Sequence, residues 1–123
     1  MNHKCIIGIG SNINAESNFA ATLYLLRTDH ELIAVSTWIK TEPIGIIDQP
    51  DFLNGAAKVL TKMDKPEFQT YLKEVEDRLG RDRMAPKFGP RTIDLDIVVW
   101  DGEVIDKDYF KRDFLKKVVD EIF

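Results

Sequence analysis

The sequence predicts an α+β fold of the ferredoxin-like βαββαβ type, an antiparallel sheet with helices packed on one face. Two observations carry this prediction. Apolar strand patterns and amphipathic helix patterns follow one another in the order strand, helix, strand, strand, helix, strand, and no internal repeat interrupts that order. The chain has 123 residues, which is enough for one hydrophobic core and too few for two ordinary domains. We therefore treat residues 1–123 as a single domain.

The first half of the chain supplies a strand, a helix and a second strand. Residues 4–9 are apolar and β-branched and end at a Gly-Ser-Asn turn. Apolar side chains recur at helical spacing over residues 15–28, which predicts the first helix. Residues 31–40 are rich in β-branched and aromatic side chains and favour a strand. The next ten residues contain two prolines and a glycine, which indicates a loop.

The second half begins with a strand pattern at residues 52–60 and continues into a helix. Asp64 and Glu67 have the spacing of a capping box, and Pro66 suits the first turn of a helix. The apolar face of this helix runs from residue 68 to 79, and Gly80 supplies the expected C-terminal stop. Residues 81–89 are polar and predict a loop, and residues 111–123 carry the apolar stripe of a short tail helix.

Composition and charge exclude several classes of protein. The net charge of −4 argues against a nucleic-acid-binding domain with a broad basic surface. No apolar stretch approaches the ~18 residues of a membrane span, so we expect no membrane partner. Cys5 is the single cysteine, which predicts a buried, reduced thiol and a cytoplasmic location. His3 and His30 lack zinc-ligand spacing with each other and with Cys5.

Two aspartates interrupt an apolar strand at residues 93–100. Alternation predicts one core face, formed by Ile93, Leu95, Ile97 and Val99, and puts Asp94 and Asp96 together on the other face. Same-face residues of a strand lie roughly 7 Å apart, so the two carboxylates could bridge a pair of divalent cations about 3.5–4 Å apart. A solvated strand face is the alternative interpretation.

A basic loop leads directly into this strand. Arg81, Arg83, Lys87 and Arg91 would converge with the aspartates near one end of the strand, as a polyphosphate and its magnesium require. The alternative is a solvated basic loop. The sequence has no G-x-x-x-x-G-K-[ST] loop and no complete G-x-G-x-x-G pattern, so any nucleotide site must be built differently.

Aromatic side chains and one amide could bind a planar heterocycle. Phe52, Phe88 and Phe114 offer flat apolar surfaces, Asn54 offers an amide, and residues 41–45 form a flanking loop. Each of these side chains could instead belong to the core or to the ordinary surface.

These segments together resemble one enzyme family. Segment 88–97, FGPRTIDLDI, closely resembles the signature of the 6-hydroxymethyl-7,8-dihydropterin pyrophosphokinases of folate biosynthesis. The segments IGSN at 9–12, TEPIG at 41–45, DQPDFLN at 48–54 and GRDR at 80–83 are similar to the first turn, pterin loop and phosphate-binding loop of that family. The resemblance covers residues 4 to about 105 and is specific because several segments agree in order.

The resemblance implies an enzyme that transfers diphosphate from ATP to the hydroxymethyl group of the dihydropterin and releases AMP. It implies that Asp94 and Asp96 hold two Mg²⁺ ions and that Arg81 and Arg91 contact the transferring phosphates. It also implies two sets of binding residues. The ATP set is Glu76, Arg81, Arg83, Phe88, Arg91, Ile97 and Arg112, and the pterin set is Thr41, Pro43, Ile44, Phe52, Asn54 and Phe114.

The chain departs from the family pattern near its C-terminus. Family members usually continue further and carry a histidine element that contacts ATP, whereas residues 104–112 are short here and contain no histidine. Segment 112–115, RDFL, resembles the later Arg-x-Phe element of the family. We therefore expect a compact, monomeric, magnesium-dependent pyrophosphokinase. A non-catalytic pterin- or nucleotide-binding module derived from that enzyme is the alternative, and a ferredoxin-like single-stranded nucleic-acid binder is disfavoured by the acidic charge and by the absence of a K/R-G-F/Y-G/A-F pattern.

Overall fold

The computed structural model of the chain describes residues 2–84 and 89–123. Within these ranges it contains an antiparallel six-stranded sheet and four helices. The strands are β1 (His3–Ser11), β2 (Glu31–Val35), β3 (Ile39–Thr41), β4 (Phe52–Thr61), β5 (Asp94–Trp100) and β6 (Glu103–Val104). The helices are α1 (Ala15–Asp29), α2 (Lys65–Arg78), α3 (Asp108–Lys111) and α4 (Asp113–Ile122). The α+β class predicted from the sequence is confirmed.

The strands lie in the order β2, β4, β1, β5, β6, and β3 pairs with β4 beside β2. Every pairing is antiparallel. The prediction of a single strand at residues 31–40 is therefore wrong, because this segment forms two short strands along one edge of β4. Ser36 makes the break, since its Oγ accepts from the Ala56 N–H at 2.8 Å and its own N–H donates to the Ala56 carbonyl at 2.9 Å.

Two hydrophobic clusters occupy opposite faces of the sheet. The first cluster joins alternate residues of β1 and β4 to α1 and α2, with Phe19 and Phe68 among its fully buried side chains. The second cluster lies on the other face, where Val118 and Val119 of α4 pack on Ile6 and its neighbours. The expectation of helices on one face holds for α1 and α2 and is wrong for α4. Helix α4 is amphipathic, and its apolar stripe packs on the face of the sheet that α1 and α2 do not cover.

One residue of the aspartate strand also departs from the predicted alternation. Ile93, Leu95 and Ile97 belong to the first cluster as expected, whereas Val99 packs with Val98 in the second. The pairing of β1 with β5 shifts register between Ile6 and Ile7, which adds a residue to β5. Such an irregularity reverses the faces of the residues that follow it.

Local signals at the helix and strand ends agree with the sequence. Asp64 and Glu67 form the predicted capping box at the start of α2. Asp101 and Gly102 both adopt positive φ angles and form the tight turn that adds β6, an element absent from the prediction. Cys5 is buried, as expected. Across residues 2–84 and 89–123, we find no helix with the length and apolar character that a membrane crossing requires.

Candidate active site

The two aspartates lie opposite glycines on the neighbouring strand. Asp94 pairs with Gly10 and Asp96 pairs with Gly8 across β5 and β1. Directly paired residues of a sheet point to the same face, so both carboxylates stand beside positions that have no side chain. The result is a cleft on the α4 face of the sheet. α4 covers the neighbouring part of that face, where a Cβ on Gly8 would lie 3.1 Å from Leu115 Cδ1.

Three adjacent cavities meet at Asp94. The first cavity is about 300 Å³, is open to solvent, and has Phe52 and Phe114 among its lining residues. The second cavity, about 130 Å³, is acidic and lies over the glycines of β1. The third cavity, about 300 Å³, lies beside α2 and contains Arg81 and Arg83. Asp94 lines all three cavities, and Asp96 lines the second and the third.

Arg81 links the aspartate strand to α2. Its Nη1 donates to Asp94 Oδ1 at 2.7 Å and to Glu76 Oε2 at 2.8 Å. Glu76 is 3% exposed, and it also accepts from the Leu95 N–H at 2.8 Å and from Arg83 Nη2 at 3.2 Å. A carboxylate buried to this degree is stabilised by charge-assisted hydrogen bonds of this kind. Glu76 therefore fixes both arginines and the start of β5 in one arrangement.

Asp96 has an unusual electrostatic environment. Part of the side chain remains exposed, yet loss of solvent around the carboxylate, followed by the charges of Asp94, Asp106 and Glu76, raises its pKa to about 7. Arg81 opposes this effect. Like charges disfavour a second ionised carboxylate nearby, and a bound cation would reverse that preference.

The chemistry of this donor set fits Mg²⁺. The two aspartates supply hard oxygen ligands beside an open cavity, and Mg²⁺ in phosphate-transfer sites is commonly held by one or two carboxylates together with substrate oxygens and water. Among the described residues no group of three or more His, Cys, Asp or Glu side chains is arranged to hold a metal ion, so any cation here would need ligands from substrate or water. The open arrangement suits a metal that arrives with a phosphate ligand.

The first cavity brings together most of the predicted heterocycle-binding residues. Thr41, Ile44, Phe52, Asn54 and Phe114 line it, and so do Arg91 and Arg112. Asn54 Nδ2 donates to Thr41 Oγ1 at 2.6 Å, which fixes the orientation of the amide. Pro43 is half-buried and is absent from the lining of this cavity.

The predicted nucleotide-binding residues divide between two cavities. Glu76, Arg81, Arg83 and Ile97 line the third cavity. Arg91 and Arg112 lie instead in the first cavity, where Asp94 connects the two sides. The predictions for Phe88 and Lys87 concern positions outside the described residues.

Sequence reasoning assigned no role to three acidic residues of the site, although Glu42 belongs to the loop expected to flank the heterocycle. Glu42 lines the first cavity, Asp106 lines the second, and Asp108 lines both. The Asp106 carboxylate accepts from the Asp108 N–H at 2.9 Å. The available signal was the Asp-Gly pair at residues 101–102, because a hairpin there returns the chain towards β5 and brings the next residues to the cleft.

The fold and the site define a class of protein, an α+β small-molecule-binding domain in which an apolar, an acidic and a basic cavity share one carboxylate. Comparison with known proteins is more specific. The family model described as 7,8-dihydro-6-hydroxymethylpterin-pyrophosphokinase (HPPK) matches residues 6–123. The chain belongs to this family.

Individual relatives agree with the family assignment. The chain is 34% identical to the 2-amino-4-hydroxy-6-hydroxymethyldihydropteridine pyrophosphokinase of Bacillus subtilis, over 86% of this chain and 65% of that protein. It is 34% identical to the Haemophilus influenzae protein of the same name, over 80% of this chain and 63% of the relative. It is 36% identical to a folate synthesis bifunctional protein of Arabidopsis thaliana, over 79% of this chain and 20% of the relative. The chain thus spans less than two thirds of the length of each of these relatives.

Proposed function

We propose that this chain transfers the β,γ-diphosphate of ATP to 6-hydroxymethyl-7,8-dihydropterin, giving the pterin diphosphate and AMP in folate biosynthesis. The observation that carries the proposal is the position of Asp94 in the lining of all three cavities. A diphosphate that passes from a nucleotide to a flat heterocycle must be bound at such a junction. The hydroxymethyl oxygen forms a bond to the β-phosphorus, and the bond from that phosphorus to the α-phosphate oxygen breaks.

The pterin is assigned to the first cavity. Phe52 and Phe114 provide flat apolar surfaces for the ring, and the amide of Asn54 and the hydroxyl of Thr41 provide its polar contacts. Ile44 and Pro43 complete the assignment, and Pro43 rests on the family resemblance alone. The cavity volume of about 300 Å³ supports a ligand of this size.

The phosphates and the nucleotide are assigned to the arginine side of the cleft. Arg81, in the third cavity, and Arg91, in the first, contact the transferring phosphates, and Arg112 lines the first cavity together with Arg91. Arg83 and Ile97 hold the nucleotide in the third cavity, together with Phe88 by resemblance. Glu76 acts through the arginines, since its carboxylate accepts hydrogen bonds from Arg81 and Arg83.

Asp94 and Asp96 are proposed to hold two Mg²⁺ ions, which supply charge stabilisation for the phosphate oxygens during transfer. The chain's own residues orient the two substrates relative to each other. Phosphoryl transfer depends chiefly on positioning and on charge stabilisation, so no strong general base is required in the lining.

Four broader proposals follow from the same interpretation. The order β2, β4, β1, β5, with α1 and α2 on one face, supports the ferredoxin-like arrangement. We also propose a monomer in the cytoplasm, without nucleic-acid or membrane partners. These statements rest on the charge, on the single reduced cysteine and on the small-molecule character of the cavities.

Quantified product formation tests the proposal. The protein is incubated with ATP, MgCl₂ and the dihydropterin, and nucleotides are separated by ion-exchange chromatography. We expect AMP and pterin diphosphate in equal amounts, no AMP without the pterin, and no product with excess EDTA. Release of ADP instead of AMP, or no AMP above background, contradicts the proposal. Calorimetric binding of the dihydropterin without AMP formation supports the non-catalytic module instead.

A further inference from the structure

Asn12 connects two segments of the site without appearing in the lining of the three cavities. The residue follows β1 and is 7% exposed. Its Nδ2 donates to Gln49 Oε1 at 2.9 Å and to the Pro50 carbonyl at 3.0 Å. Its Oδ1 accepts from the Arg91 N–H at 2.8 Å, and its own N–H donates to the Arg91 carbonyl at 3.1 Å.

The two segments that Asn12 joins belong to different sides of the cleft. Gln49 and Pro50 lie at the end of the β3–β4 loop, residues 42–51, which leads directly into Phe52. Arg91 precedes β5, and its side chain lines the first cavity. One buried amide therefore sets the distance between the start of the heterocycle wall and a cation proposed to contact phosphate.

We propose that Asn12 is a positioning residue that holds the β3–β4 loop and Arg91 in a fixed relation. The proposal rests on the proposed function, because it assigns the pterin to one of these segments and the phosphates to the other. Removal of the amide leaves the N–H of Arg91 and the carbonyl of Pro50, both in part-buried hydrogen bonds, without this partner. Losing hydrogen bonds to groups that are partly shielded from water is costly, so the two segments move apart until water satisfies these groups.

Asn18 provides a matched control from the same junction. Its Nδ2 donates to the carbonyls of Ile13 and Thr92, at 2.7 and 2.9 Å. Both asparagines thus anchor the segment before β5 to the turn after β1. Asn12 also bonds to Gln49 and Pro50 of the β3–β4 loop, so a comparison of the two variants separates positioning of that loop from general anchoring.

The experiment measures dihydropterin binding and turnover separately in Asn12→Ala, Asn12→Asp, Gln49→Ala and Asn18→Ala. For Asn12→Ala we expect about a tenfold rise in the Kd and KM for the dihydropterin and about a tenfold fall in kcat, because three part-buried hydrogen bonds are lost. Asn12→Asp keeps the acceptor for the Arg91 N–H and loses the donor, so its Kd rises and its kcat changes less than in Asn12→Ala. Gln49→Ala raises the Kd by a smaller factor, because the Pro50 and Arg91 bonds remain.

Two results would overturn the proposal. One is a folded Asn12→Ala variant whose Kd and kcat stay within about twofold of wild type, a change smaller than one hydrogen bond accounts for. The other is an Asn18→Ala variant with the same changes in Kd and kcat. If Asn12→Ala does not fold, Asn12→Asp and Gln49→Ala decide through the Kd alone. If the wild-type protein binds dihydropterin and releases no AMP, the proposed function is contradicted, but the comparison of Kd values among the variants remains valid. If the wild-type protein does not bind dihydropterin, both the proposed function and the positioning role of Asn12 are contradicted.

Discussion

Arg81 and Asp94 form an ion pair in which Nη1 lies 2.7 Å from Oδ1. This pair joins the guanidinium assigned to the phosphates with the carboxylate assigned to the metal. Each group currently neutralises the other, so both proposed roles require an exchange of partners when ATP and Mg²⁺ bind. Glu76, 2.8 Å from the same Nη1, keeps one ion pair for Arg81 during that exchange.

Removal of Arg81 should strengthen metal binding while it weakens catalysis. In Arg81→Gln the Asp94 carboxylate loses a competing cation, and we expect Mn²⁺ to bind about fivefold more tightly in the absence of nucleotide, as for a partly exposed ion pair of about 1 kcal/mol. Mn²⁺ titration followed by EPR measures this affinity, and AMP release measures turnover, which should fall. Arg83→Gln is the control, because Arg83 pairs with Glu76 and Asp77. Weaker Mn²⁺ binding in Arg81→Gln would contradict the assignment of Asp94.

Neutralising either aspartate should abolish turnover and preserve the fold. Asp94→Asn and Asp96→Asn each remove a charged oxygen ligand, and we expect AMP release to fall by about 10²-fold or more, the scale of losing one electrostatic stabiliser. Circular dichroism should match wild type. Glu103→Gln, an exposed carboxylate on β6, should retain full activity. Wild-type rates in either aspartate variant would reject the metal role.

The raised pKa of Asp96 predicts a pH dependence with a definite sign. The folded protein holds this proton up to about pH 7, whereas the unfolded chain releases it near pH 4. The raised pKa of Asp96 therefore destabilises the metal-free fold increasingly from about pH 4 to about pH 7 and fully above pH 7, and this effect is lost as the pH falls back to about 4. We expect Asp96→Asn to raise the Tm at pH 8 and to change it much less at pH 4, measured by thermal unfolding in EDTA. An equal Tm difference at both pH values would contradict this interpretation.

The affinity for Mn²⁺ should also depend on pH, because a proton and the metal ion compete for the Asp96 carboxylate. Below about pH 7 a proton competes with the cation at Asp96, so the Kd for Mn²⁺ should rise up to about tenfold for each pH unit. Calorimetric titrations between pH 5.5 and 8.5 measure the slope. Asp96→Asn should bind weakly with a much smaller slope, and a wild-type Kd that is constant over this range would contradict a single competing proton.

The local parts of this structure were predictable from the sequence because their causes are local. The capping box of Asp64 and Glu67 and the shared face of Asp94 and Asp96 follow from residue spacing alone. The register shift at Ile6 and Ile7 comes from pairing between distant strands, so alternation assigned Val99 to the wrong face.

The less predictable parts of the site depend on contacts between distant segments. The spacing of residues on α2 identifies Glu76 as part of a helix, and only the folded chain brings Arg81, Arg83 and the Leu95 N–H to its carboxylate. Asp108 reaches the cleft because the hairpin after Trp100 reverses the chain. For both Glu76 and Asp108, the local sequence pattern does not indicate which distant residues become neighbours in the fold.

Glu76 should contribute to stability as well as to the position of the arginines. Glu76→Gln removes the charge from a side chain that is 3% exposed and weakens its bonds to two arginines. We expect the free energy of unfolding to fall by about 1–3 kcal/mol, the cost of disturbing charge-assisted hydrogen bonds in the interior. Urea unfolding measures this change. Glu74→Gln, at an exposed position of the same helix, should be neutral, and equal unfolding energies for the two variants would contradict the role of Glu76.

Gly10 should control pterin binding through Asn54. A Cβ at this position would lie 3.2 Å from Asn54 Oδ1, the amide whose Nδ2 donates to Thr41. Gly10→Ala therefore displaces the amide, and we expect the Kd for the dihydropterin to rise about fivefold, as for overpacking that costs about 1 kcal/mol.

A double-mutant cycle shows whether Gly10 acts by that route. If the added methyl group works only through the amide, Gly10→Ala combined with Asn54→Ala binds dihydropterin no more weakly than Asn54→Ala alone, because the displaced group is already absent. Fluorescence titration of the four proteins measures the cycle. Additive losses would instead mean that the methyl group blocks the pterin directly. Gly10 lines both the first and the second cavity beside Asp94, so direct blocking should lower kcat as well as pterin affinity.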